Sequence, residues 1–455
     1  MARIPKIAAA ALALIVAGCS SSSTTPVPSA TSASPGTPST AAASVSPTPS
    51  EPVSLSFWIE STSPSEQKMW QAAIDRYHAK NPNVTVKMTV LAFEDMMRNM
   101  PLALDAGTAP DIASVPALTQ GTDRYVAAGK LVDLTEAAKS GGWLDHFSPD
   151  VISYNNPTTP GRVFGIPWSL NTVGVFYNAD AFAKEGLAVP TSIADFETVL
   201  QTLKDRGYKP VVSVGAREGW PLSHIFEQLL HTGTPFADIQ KLVALDPSGR
   251  WGAPTIVQAA AKVLDWTNKG FLDKNMLATN YTDASNLFIS GKAPVNITGT
   301  WQLGDYSTLP KFKVGFFNTP QMDPSLPWHA GGFAPYDNLV IPKGKNEAAA
   351  TDFLAYLLSE ENMTEFWNAG TIVSYKFATV PPAPTQVQSD VYSAMQSTLP
   401  GYYMDVPNAQ VGNTLWANLQ SLVGHHMTPE EALAGVQKVY DQEAAKKAAS
   451  PSPSS

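Results

Sequence analysis

From Val53 the chain alternates: Val53, Leu55, Phe57 and Ile59 are apolar, and smaller or polar residues lie between them. A period of two predicts a strand with one face buried. Ser63-Pro64-Ser65-Glu66 comes next. It sets a serine at an N-cap, a proline at the first helical position and a glutamate at the third, a capping box that predicts a helix start. Met69, Trp70, Ala73, Ile74 and Tyr77 recur at helical spacing up to a stop near Asn81-Pro82, and residues 84–90 alternate again. Strand, helix and strand within about 40 residues predict a right-handed crossover and a parallel sheet.

The pattern repeats downstream. A helix is predicted from Glu94, strands over 112–115 and 173–177, and a helix that Asn178 caps and Gly186 ends. A helix over 193–206, closed by Gly207, leads to a strand over 211–214. Later helices are predicted over 256–268, 348–358 and 430–440, the last opened by a second capping box, Thr428-Pro429-Glu430-Glu431. Strands and helices alternate without a short fixed period, which predicts an α/β protein rather than a repeat array.

The N-terminus sets the expected compartment. Arg3 and Lys6 flank an apolar run over 7–17, the charged and hydrophobic regions of a secretory signal. The run is shorter than the roughly 20 residues a bilayer span needs. It ends in Val16-Ala17-Gly18-Cys19, which resembles the lipobox of bacterial lipoproteins, whose cysteine is acylated before cleavage in front of it. Residues 1–18 are therefore expected to be a signal peptide and Cys19 a lipidation site. Residues 19–52 follow as a Ser/Thr/Pro-rich disordered tether, and 446–455 are expected to form a disordered tail.

Composition narrows the function. A chain of 455 residues suggests two or three domains. Cys19 is the only cysteine, so no disulfide, thiolate metal site or cysteine nucleophile lies downstream. A formal charge of −9 without a Lys/Arg-rich run argues against nucleic acid or an anionic membrane surface as partner. No Gly-x-Ser-x-Gly, phosphate loop, His-Glu-x-x-His or EF-hand loop occurs, and the adjacent His425-His426 pair reads as solvated loop. The expected ligand is small and neutral, with no cofactor and no metal.

Five segments then carry a resemblance. GTAPDIASV at 107–115, VFGIPWSLNTVGVFYNADAFAKEGL at 163–187, FISGKAPVNITGTW at 288–301, GGFAPYDNLVIPKGKNEAAATDFLAYLLSEENMTEFW at 331–367 and MTPEEAL at 427–433 resemble, in order, blocks of the extracellular solute-binding proteins of ABC importers. The resemblance is to the large sugar-binding family that includes maltose-binding protein. Pro294-Val295 departs from the Ala-Met more usual there. The resemblance implies an α/β, two-lobed periplasmic-binding-protein fold, each lobe a mostly parallel sheet flanked by helices, with a hinge crossed more than once. It implies an N-terminal lobe of 53–167 and 295–341 and a C-terminal lobe of 168–294 and 342–445. It also implies a non-enzymatic monomer that closes on a mono- or oligosaccharide and hands it to the permease subunits of an importer.

Ligands of open α/β sheets sit at the carboxyl ends of the strands, which selects Trp58 and Glu60 after the first strand, Ser114 after the third, and Trp168, Ser169 and Asn171 at the first crossover. Sugars present apolar faces and hydroxyls, so aromatic planes and polar side chains together are expected. Trp220, Gly299, Thr300, Trp301, Trp328, Gly331 and Gly332 complete the candidate set. Glu60 would accept hydroxyl protons, whereas Asp111 reads as a loop-ordering residue. The alternatives are a receptor for a charged solute such as a glycerol phosphodiester, for which Arg217 is the one basic residue beside a candidate loop centre, and, less favoured, a secreted glycoside hydrolase.

Overall fold

The computed structural model describes residues 51–117, 121–335, 337–405 and 407–449. The signal peptide, Cys19 and all but the last two residues of the expected tether lie outside the described residues. The strands are β1 (Val53–Glu60), β2 (Val84–Leu91), β3 (Ile112–Pro116), β4 (Gly165–Pro167), β5 (Val173–Asn178), β6 (Val212–Ser213), β7 (Val295–Gly299), β8 (Val314–Phe317), β9 (His329–Ala330), β10 (Asp337–Val340) and β11 (Leu399–Pro400).

Two main sheets form the two lobes, one ordered β2-β1-β3-β10-β4 and the other β6-β7-β5-β8. In the first, β1 runs parallel to β2 and β3, and β10 alone is antiparallel to its neighbours. In the second, β5 plays the same part, antiparallel to β7 and β8. Each odd strand is the one that enters its lobe from the other. Chain arriving across the hinge joins the sheet at the hinge end and runs away from it, against strands whose carboxyl ends face the hinge.

Three stretches cross between the lobes and bond to one another. Asn171 N donates to Ala334 O at 3.1 Å and Ala334 N returns the bond at 3.0 Å. Leu170 N donates to Ile372 O at 2.7 Å, and Ser374 N to Trp168 O at 3.3 Å. A narrow ladder of backbone bonds is a hinge in which few dihedrals need change for the lobes to rotate.

Packing follows the sequence pattern. Leu55, Phe57 and Ile59 of β1 are buried against Trp70, Ala73, Ile74 and Tyr77 of the helix Pro64–Lys80 and Phe353 of the helix Glu347–Leu357. Phe57 and Trp70 meet edge-on at 5.2 Å. Trp58, one residue out of phase, turns to the opposite face and packs with Met96, Met100 and Leu104.

Three expectations are corrected here. β7 and β8, placed by the resemblance in the first lobe, hydrogen-bond to β5 and β6 in the second. The helices Glu347–Leu357 and Glu360–Asn368, placed in the second lobe, pack in one core with β1. The chain returns to the first lobe only between β8 and β10, so the crossing lies later than block spacing suggests. The helix Pro429–Ala449 also runs through the first residues of the expected tail. Of the two capping boxes, Thr428 and Glu431 close one reciprocally, at 2.9 and 3.2 Å. In the other, Ser63 Oγ accepts from Glu66 N at 3.1 Å, but the Glu66 carboxylate turns away and Ser63 N donates to Ser61 Oγ instead.

Candidate functional site

A cavity of about 270 Å³ lies where the carboxyl ends of β1, β2, β4, β6 and β7 converge on the hinge. The first lobe contributes Glu60 at the end of β1, Ser61, Thr62, Ser63 and Glu66 around the start of the next helix, and Phe93 and Glu94 after β2. The second contributes Trp220 and His224 from the helix Trp220–Gly233, Tyr281 at the start of Tyr281–Ile289, and Thr300 and Trp301 after β7. The hinge adds Trp168, Ser169, Asn171 and Asp337.

The second-lobe wall is aromatic. Trp220 lies 4.5 Å from Tyr281, 5.2 Å from His224 and 6.2 Å from Trp301, ring centre to ring centre, and His224 lies 5.5 Å from Trp301 and 5.6 Å from Tyr403. Gly299 makes this possible: a Cβ there would fall 1.9 Å from the Trp301 ring. Trp301 Nε1 donates to Tyr281 OH, which pairs with Thr298 Oγ1 at 3.0 Å. Both ring planes are fixed before a ligand arrives, which lowers the ordering cost of binding.

The opposing wall is acidic. Glu66 Oε1 accepts from Trp70 Nε1 at 3.2 Å and Oε2 from Ser61 Oγ at 3.0 Å. Burial, with Asp337 nearby, pushes its pKa up to about 8. Burial raises Glu60 well above the ordinary carboxylate range, and Asp337, Glu66 and Glu94 add to the shift. Burial also raises Asp337, against the bonds it accepts from Ser169 Oγ at 3.3 Å and Asn171 Nδ2 at 3.4 Å. The hinge residues are cross-linked further: Thr300 Oγ1 donates to Asn171 Oδ1 at 3.1 Å and accepts from Thr172 N at 3.1 Å.

Of the residues selected from sequence, Glu60, Trp168, Ser169, Asn171, Trp220, Thr300 and Trp301 line the cavity. The others take supporting places. Trp58 faces the far side of the sheet. Ser114 Oγ accepts from Trp168 Nε1 at 3.0 Å, orienting a ring that also packs 4.8 Å from Trp70. Gly299 admits the Trp301 ring. Trp328 lies on the β9 side, where its carbonyl accepts from Leu399 N at 2.8 Å. Gly331 and Gly332 allow close backbone packing against Gln228 and Tyr403, where added Cβ atoms would fall 2.8 and 2.7 Å away. Asp111 orders its loop, accepting from Ser56 N and Oγ at 2.7 Å each.

Sequence reasoning missed Glu66, Glu94, His224, Tyr281 and Asp337. Glu66 was hidden behind its capping signature, and Glu94 behind an ordinary helix start. Asp337 lies just inside the GGFAPYDNLV block but at the beginning of an antiparallel strand, so a rule that looks after strand ends passes over it.

The cavity holds aromatic planes, fixed acceptors and a bonded hinge, the parts of a protein that closes two lobes on a small solute. The chain belongs to the bacterial extracellular solute-binding protein family, whose model matches residues 61–364. It is 24% identical over 315 residues to the multiple sugar-binding protein of Streptococcus mutans, a match covering 67% of this chain and 71% of that one. It is 23% identical over 329 residues to the sn-glycerol-3-phosphate-binding periplasmic protein of Escherichia coli K12, covering 70% and 73%. A solved chitin oligosaccharide binding protein shares the fold with a TM-score of 0.76 at 21% identity, covering 86% of this chain and 99% of that one. The protein is a solute binder and not an enzyme. Among the described residues no group of His, Cys, Asp and Glu side chains is arranged to hold a metal, and no helix is long and apolar enough to cross a membrane.

Proposed function

We propose that this protein is the substrate-binding lipoprotein of an ABC importer, anchored through an acyl group on Cys19, that captures a mono- or oligosaccharide between its lobes and delivers it to the permease. The observation that carries this reading is the pairing of a fixed Trp220–Trp301–Tyr281 aromatic wall with carboxylate and amide acceptors across one small cavity. The aromatic planes suit the C–H faces of a pyranose ring, and the acceptors suit its hydroxyls. A cavity of about 270 Å³ is near the lower end of small-molecule sites, roughly 300–1,000 Å³. That favours one or two sugar rings over a long chain. The sugar-binding relative from Streptococcus mutans supports the same ligand class.

The glycerol phosphate reading draws on the Escherichia coli relative, but the cavity speaks against it. Its described lining carries the carboxylates of Glu60, Glu66, Glu94, Glu218, Asp337 and Asp405 against the single guanidinium of Arg217. That guanidinium is bonded to Glu218 at 2.9 Å and 58% exposed. A phosphate would find no unpaired guanidinium or ammonium in the described lining to balance its charge.

The test is a thermal-shift screen against mono- and oligosaccharides and glycerol phosphate esters, with each ligand checked for integrity afterwards. Ligand at about a hundred times its Kd stabilises by roughly 2.7 kcal/mol. A shift with one intact sugar class is expected. A shift with phosphate esters alone, or a cleaved sugar, overturns the reading.

A further inference from the structure

Carboxyl groups outnumber basic groups in the described lining of the cavity. The three indole N–H groups in its wall are engaged by the protein: Trp168 donates to Ser114, Trp220 to Glu94 and Trp301 to Tyr281. The Arg217 guanidinium donates to Glu218 at the rim. Glu60 Oε2 is shut off from solvent with no hydrogen-bond partner, beside the carboxylates of Asp337, Glu66 and Glu94. Across the cavity His224 is 5% exposed, lines the space, and has no partner for Nδ1. Burial holds its pKa down to about 3. The ring is therefore neutral, and in the tautomer protonated at Nε2 its Nδ1 is an acceptor.

Burial and the neighbouring carboxyls keep protons on Glu60 and Glu66; a cation seated among them would displace those protons and supply the counter-charge that ionised carboxylates need. Sugar hydroxyls each donate one hydrogen bond and bring no charge. An ammonium group donates three, carries the charge the carboxylates lack, and is attracted to tryptophan faces of the kind Trp220 and Trp301 present.

We propose that the solute is an amino sugar with a free, protonated amine, its ammonium group seated between Glu60 and the Glu66, Glu94 and Asp337 carboxylates and its ring against Trp220 and Trp301. This rests on the carbohydrate reading above and narrows it to one chemical class.

The test is titration calorimetry of the full chain at pH 7 with three free-amine hexosamines (glucosamine, galactosamine and mannosamine), their N-acetyl forms, the parent hexoses, and the β-1,4-linked dimers of glucosamine, N-acetylglucosamine and glucose. N-acetylation removes the charge and keeps the ring. At least one free-amine sugar is expected to bind tenfold or more tightly than its acetylated and parent counterparts. The preference should weaken as salt rises and collapse in Glu60→Gln, whose melting temperature shows whether it is folded. The discrimination in the unaltered protein decides the matter even if that variant fails to fold. Neutral or acetylated sugars binding as tightly as the free amines overturn the amine inference and leave the carbohydrate reading standing. Binding of glycerol 3-phosphate in place of every sugar, or of none of these probes, overturns both.

Discussion

Trp220 Nε1 donates to Glu94 Oε1 at 2.9 Å, and Phe93 meets the Trp220 ring edge-on at 6.3 Å. Trp220 begins a helix of the second lobe and Glu94 a helix of the first. The pair therefore bonds the aromatic wall of the second lobe directly to the first lobe.

Trp220→Phe keeps an aromatic face and removes the donor. Hydrogen bonds to charged groups contribute about 1.5–3 kcal/mol when buried; Glu94 is exposed, so a loss of about 1 kcal/mol, roughly fivefold in Kd, is expected. Calorimetry gives the affinity, and small-angle scattering should show a larger open fraction at subsaturating ligand. An unchanged Kd would mean that this inter-lobe bond contributes nothing to the liganded state.

Gly299→Ala puts a methyl group where the Trp301 ring now lies. The ring must rotate out, which breaks its bond to Tyr281 and one wall of the cavity. Overpacking of this kind costs typically about 1–3 kcal/mol. A lower melting temperature, altered tryptophan fluorescence and a tenfold or greater loss of affinity are expected together.

The ligand-free protein should lose stability as pH rises. Burial holds the Glu66 carboxyl at about 8 and raises Glu60 and Asp337 as well. The folded state therefore keeps protons that the unfolded chain gives up near pH 4. Between those values the unfolded state binds fewer protons, and stability falls with pH. The term is fully present below the unfolded value and lost as pH climbs through about 8. Urea melts at pH 5 and pH 8 should show the decline, and Glu66→Gln should reduce it.

Arg217→Ala tests the phosphate alternative from the other side. Because Arg217 is already paired with Glu218 at the rim, its removal should change sugar affinity by no more than about twofold, an exposed pair being worth little. Glycerol 3-phosphate should bind neither form. Measurable binding of that ester by the unaltered protein, abolished in the variant, would assign Arg217 a ligand role.

The α/β alternation was legible because apolar spacing is a local property: β1, the helix after it and β2 all stand where period-two and helical patterns put them. Glu60 and Trp168 were legible as residues just past predicted strands, whereas Trp220 and Trp301 were chosen as aromatic planes suited to a sugar and by resemblance. Trp58 failed because alternation alone sends adjacent residues to opposite faces, and Phe57 and Ile59 had already claimed the inner one.

The order of strands and helices and the closing glycines follow from the sequence by itself, since each depends on neighbours a few positions away. Tertiary structure alone decided that β7 and β8 join the second lobe, that Glu66 leaves its capping role for the cavity, and that Asp337 begins its strand beside Glu60. Those outcomes depend on where the chain recrosses the hinge. Long-range pairing of strands and the burial of carboxylates from distant segments set that crossing, and no local pattern encodes it.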